Sequence, residues 1–178
     1  MSRPILSDGF DHHNWATLRI IDACLTLSDE QLRTVVPGTF GSIVDTVQHI
    51  VGADASYLHV LSGEASPLIE EEGMDLAQLR AVMVDNGPAW SLVLAAAADP
   101  DVMVTRHRDD GSESAAPLGV RLAQVLHHGT DHRSQIATAL TTLGVTPPEM
   151  DVWDWADAMG RSHVTEPSTP PLAEVQGL

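Results

Sequence analysis

The chain has 178 residues, 43% hydrophobic and 19% charged, enough to bury about two-thirds of its unfolded surface as one domain without a disulfide or structural metal. Nine arginines, no lysine and 25 acidic residues give a formal charge of −16, the wrong sign for gripping nucleic acid or an anionic membrane surface. The single cysteine, Cys24, excludes an intrachain disulfide framework and fits a reducing compartment.

Residues 1–8 carry no apolar targeting core, and no run of about 18 apolar residues follows, so the expectation is a cytoplasmic protein without a membrane span. Within the periodic segment 10–27, Trp15, Leu18, Ile21 and Leu25 recur at helical steps and predict an amphipathic helix, with His12 and His13 ahead of the first of these positions. Ser28 and Gln31 read as a capping box for an extra turn, and Pro37-Gly38 then breaks the chain. A second helix starts near Ser42, buries Ile43, Val47, Ile50, Leu58 and Leu61, and stops at Gly63. The acidic stretch 64–73 reads as a solvated loop. Asp75 and Gln78 cap a third helix that meets Asn86-Gly87-Pro88. Its apolar period resumes almost in phase at Trp90, which predicts a kink rather than a break.

Weak alternation over 102–105 and the turn residues 109–112 predict a short hairpin. The clearest helix runs over 118–143, with Leu118, Leu122, Val125, Ile136 and Leu140 on one stripe and Gly144 as its stop. Residues 151–159 predict a short closing helix, and 161–178, rich in proline and polar residues, a disordered tail. The fold class is therefore all-α, a four-helix bundle over residues 1–160 with a small hairpin before the last long helix.

Nine histidines against seven aromatic residues point to chemistry. In the last long helix His128 and His132 lie roughly 40° apart, one turn from each other, so both can reach one divalent ion from a rigid element. Spacing alone also allows two solvated imidazoles or a hydrogen-bonded pair at the edge of the core. His127 points away from the apolar stripe, and Gly129 stands where a zinc peptidase carries its glutamate, which removes that reaction class. A third ligand could come from His12, His13, His49, His59, His107 or His163, and the helical wheel does not choose among them.

Three stretches resemble the DinB/YfiT-like family of small metal-binding bundles: Asp11-His12-His13-Asn14-Trp15-Ala16, residues 41–51, and residues 125–136 with their H-x-x-x-H-R-x-Q signature. The resemblance spans residues 8–158 and implies His49, His128 and His132 as the ligand set. Asp131 and Ser134 stand where the family often has His and Gly, both outside the ligand positions. The resemblance further implies a homodimer and a low-molecular-weight thiol, such as mycothiol, as co-substrate.

Three imidazoles around a divalent ion, zinc before nickel, leave coordination positions open, the arrangement of a catalytic site. The reading is a metal-dependent thiol S-transferase acting on a small molecule, with Arg133 receiving a substrate carboxylate or serving structurally. The alternatives are a hydrolase using bound hydroxide, with Asp131 or Asp45 as base, and a non-catalytic, stress-associated metal or ligand binder. Cys24, among apolar neighbours, reads as core rather than nucleophile.

Overall fold

In the computed structural model, which describes residues 3–108 and 110–165, the chain runs α1 (Ser7–Cys24), α2 (Asp29–Leu32), α3 (Ile43–Leu61), a 3-10 turn (Glu71–Gly73), α4 (Leu76–Ala96), β1 (Met103–His107), β2 (Glu113–Pro117), α5 (Leu118–Thr142) and α6 (Val152–Ala158). Reciprocal capping boxes start three of the helices, through Ser28 with Gln31, Ser42 with Asp45, and Asp75 with Gln78. Left-handed glycines stop three helices, Gly63 (φ 64°) after α3, Gly144 (φ 74°) after α5 and Gly160 (φ 63°) after α6. α4 continues through Pro88, as the unbroken apolar period predicts. Pro88 and Val84, whose carbonyl it leaves without an amide partner, are both exposed, so water can satisfy that carbonyl.

α1 starts earlier than its period suggested and includes His12 and His13. Its buried face is Phe10, Ala16, Ile20, Ile21 and Cys24, whereas Leu25 is 45% exposed and Trp15 and Leu18 are only half-buried. Trp15 and Leu18 line a surface groove shared with Trp155 of α6, a second neighbour that the helical wheel could not anticipate.

Packing runs α1 to α4, α4 to α3, α3 to α5 and α5 back to α1, which closes a four-helix ring. Two apolar cores fill it. Ile20, Val47, Leu79, Met83, Ile136 and Leu140 belong to the larger, and Phe10, Leu58, Trp90, Leu94, Leu122 and Val125 to the smaller. Between these two sets every long helix places buried polar residues: His13 and Thr17 on α1, Asp54 on α3, Asn86 on α4, and Arg133 on α5.

That middle layer is fully connected. Asp54 accepts hydrogen bonds from His13 Nε2 (3.0 Å), Asn86 Nδ2 (2.7 Å) and Trp90 Nε1 (3.1 Å). Arg133 Nη1 donates to His13 Nδ1 (3.1 Å) and to Thr17 Oγ1 (3.0 Å), while Nη2 donates to Thr130 Oγ1 (3.1 Å). An arginine only donates, so His13 carries its proton on Nε2 and hands it toward Asp54. Burial pulls Arg133 down to about 10, which leaves it cationic at neutral pH.

The hairpin pairs antiparallel, with Arg106 opposite Ser114. Buried Arg121 of α5 docks it, donating to the carbonyls of Val104 (2.9 Å) and Ser114 (2.8 Å), one on each strand. Residues 166–178, most of the expected tail, lie outside the described residues. At the start of that segment Arg161 is already tied down, with Nη2 2.7 Å from Asp8 Oδ2. No helix among the described residues is long and apolar enough to cross a membrane.

Gly129 of α5 sits where a Cβ would lie 2.6 Å from His13 Nδ1 and 2.9 Å from Arg133 Nη1. Gly129→Ala would gain about 1 kcal/mol of helix propensity at an exposed site. Here the clash with the polar layer is expected to outweigh that gain and cost about 1–3 kcal/mol net. Urea unfolding of the variant against wild type checks this, and an unchanged or raised midpoint would mean that the layer yields.

Candidate metal centre

α3 and α5 pack side by side, and the centre forms on the face they share. His49 projects from α3, and His128 and His132 project from successive turns of α5. One ring nitrogen from each lies within 4.8 Å of the others. His128 Nε2 and His49 Nε2 are 2.9 Å apart, and the three ring centroids are 4.5–4.8 Å apart in near-perpendicular pairs. Two nitrogens bound to one tetrahedral zinc sit about 3.3 Å apart, so an ion fits after the pair opens by a few tenths of an ångström.

The surroundings hold the rings in place. His132 Nδ1 is 3.0 Å from Gln135 Oε1, an amide oxygen that only accepts, so the proton sits on Nδ1 and the Nε2 lone pair is free for a metal. The same oxygen accepts from the Phe40 backbone amide (2.9 Å), which fastens the loop before α3 onto α5. The Phe40 ring then stacks on His49 at 4.0 Å with a 10° tilt and meets the edge of His132 at 5.4 Å. Phe40 itself is 54% exposed, so it lids the centre rather than filling the core.

Burial and the neighbouring imidazoles pull His128 down to about 4, and burial followed by the His132 charge lowers His49 as well. Both rings are thus neutral at physiological pH, the state a metal requires.

Glu71 is an acidic neighbour of the centre that its place in the acidic stretch 64–73 did not single out. It lines both clefts that flank His49, and its carboxylate acts on His49 in the direction opposite to burial. Gly52 makes this possible, because a Cβ there would lie 2.7 Å from Glu71 Cγ. A glycine inside α3 was the available signal, since mid-helix glycine costs stability unless something approaches closely. The acidic stretch is therefore not merely solvated.

The remaining histidines go elsewhere. His12 Nε2 donates to the Met150 carbonyl (2.8 Å), His13 belongs to the buried layer, and His59 Nδ1 donates to the Ser66 carbonyl (2.7 Å). His107 pairs with Glu113 on the exposed hairpin, while His127 and His163 are exposed. Arg133, expected beside a substrate, is 3% exposed, and its guanidinium is committed to Thr17, Thr130 and His13. The Asp45 carboxylate is occupied by the Ser42 amide and hydroxyl, and Asp131 faces solvent on α5. Cys24 is fully buried, and burial pushes its thiol up to about 12, which removes it as a nucleophile.

A divalent ion would therefore be held by His49, His128 and His132, with Gln135 and Phe40 fixing ring orientation. The profile of the DinB family matches residues 1–166, which include every described residue. No curated protein matches the sequence.

Two outcomes follow. Gln135→Ala frees the His132 ring and is expected to weaken zinc binding about 10–100-fold, measured by competition with a chelating dye. An affinity within twofold of wild type would show that Gln135 does not orient the ligand. The second concerns the metal-free protein. Unfolding returns His128 from about 4 to its ordinary 6.5, so between these values the unfolded chain binds more protons than the folded one. Stability is present above pH 6.5 and should fall as the pH drops toward 4. Urea midpoints across that range should fall less steeply for His128→Ala, and an identical slope would count against the shift.

Proposed function

The chain belongs to the DinB family, and from that premise we propose that it is a divalent-metal-dependent enzyme transferring a low-molecular-weight thiol to a small electrophile. The observation that carries this reading is the convergence of three imidazoles beside an open cavity of about 430 Å³, with no fourth protein ligand among the described residues. Structural sites close their coordination sphere, whereas catalytic ones keep a position free for a reactant. Zinc is the expected ion and nickel the second choice. When bound, the ion supplies the charge that lowers the pKa of a thiol or water.

The chain's own residues do the rest. Gln135 and Phe40 keep His132 and His49 oriented, and Glu71, held against Gly52, accepts the thiol proton. Sulfur forms its bond to the electrophilic carbon as the leaving group departs with the bonding pair. Glu71 also supports a second reading, hydrolysis of a small ester or amide, which would need no thiol. The cytoplasmic location and the homodimer belong to the same proposal.

Protein purified without a histidine tag is expected to carry about one metal ion per chain by elemental analysis. His128→Ala and His132→Ala should lose it, and His127→Ala should keep it. Thiol consumption should follow the same pattern across a panel of thiols with 1-chloro-2,4-dinitrobenzene. Rates equal to those of His128→Ala would remove the transferase reading, and ester cleavage without any thiol would move the assignment to hydrolysis.

A further inference from the structure

Arg106 is the only one of the nine arginines without a hydrogen-bond or ion-pair partner among the described residues. Arg3, Arg80 and Arg161 meet carboxylates, while Arg19, Arg33 and Arg121 donate to backbone carbonyls. Arg108 donates to the Ser112 hydroxyl, and Arg133 is the cation of the buried layer. Arg106 instead lines the cavity beside the histidines, which it shares with His49, His128, Ser56, Tyr57 and Glu71. It is the sole cation in that lining.

Its placement follows from the hairpin. Side chains alternate across a strand, and Val104, Ser114 and Ala116 are half-buried, whereas Thr105, His107 and the long Arg106 side chain itself are exposed, Arg106 while lining the open cavity. Arg106 shares the face of Val104 and lies opposite Ser114, so it is on the side turned to the bundle. Arg121 clamps both strands by their carbonyls, which makes this position a property of the fold rather than of a loose loop.

We propose that Arg106 receives the carboxylate of a small monoanionic ligand whose other end reaches the three-histidine centre, an assignment that rests on the metal–thiol reading above. The guanidinium fork matches a carboxylate with two parallel hydrogen bonds. Glu70 and Glu71 line the same cavity, so a dianionic phosphate would meet about twice the like-charge repulsion that a monoanion does. A volume of about 430 Å³ suits a ligand of this size. The role expected of Arg133 thus passes to the arginine that is free to perform it.

The test uses the cobalt(II)-loaded full chain titrated with 3-mercaptopropionate and with uncharged 2-mercaptoethanol, read by the thiolate-to-cobalt charge-transfer band. Wild type should bind the carboxylate-bearing thiol about tenfold tighter, the scale of one charge-assisted bidentate contact. Arg106→Met should bring the two affinities within twofold by weakening 3-mercaptopropionate alone, and Arg106→Lys should retain part of the preference. A preference that survives in Arg106→Met, or equal affinities in wild type, would overturn the role of Arg106 while leaving the thiol reading intact. Cobalt binding with no thiolate band for either compound would sink the thiol reading, and this ligand assignment with it.

Discussion

One carboxylate sets the register of the whole bundle. Asp54 on α3 gathers donors from α1 and α4, and through His13 it is coupled to Arg133 of α5. Two opposite charges are thereby buried with a neutral imidazole between them. Such an arrangement is costly to desolvate and stabilises little compared with an apolar layer of equal volume. What it adds is positional: an apolar layer tolerates a helix sliding by part of a turn, whereas a donor–acceptor layer leaves buried groups unpaired if any helix moves. The ligand histidines flank this layer in the chain, His128 and His132 around Gly129 and His49 five residues before Asp54. Their convergence inherits its precision from contacts that never touch the site.

Three glycines inside helices mark where other groups close in. A Cβ at Gly52 would meet Glu71, one at Gly87 would meet Asn14, and one at Gly129 would meet His13. Each gives up helix propensity to let a polar side chain rest against the helix backbone. Two of the three approaches bear on the metal centre, one by supplying a carboxylate beside His49 and the other by seating the buried layer next to His128.

Electrostatics near the centre runs against the character of the whole chain. The chain is strongly acidic, yet burial and the neighbouring imidazoles lower His49 and His128, and only Glu71 acts on His49 in the opposite direction. Neutral nitrogens on these two rings leave lone pairs for a divalent ion at neutral pH. The mixed lining of the adjacent cavity, one arginine against two glutamates, fits a ligand carrying a single negative charge better than one carrying several.

Much of this was legible in the residues themselves. Capping pairs, stop glycines and the apolar period located the four long helices, the extra turn at Ser28 and the hairpin, because each signal lies within a few residues of the structure it specifies. The pairing of His128 with His132 was legible for the same reason, being a property of one helix. His49 was reached only through family resemblance, since nothing in the α3 sequence says which helix that imidazole will face. The buried face of α1, the internal use of Arg133, and the arrival of Phe40, Glu71 and Arg106 at the site were all decided by packing. A helical wheel describes one element alone, whereas a site made from two helices, two loops and a strand exists only after their surfaces have met.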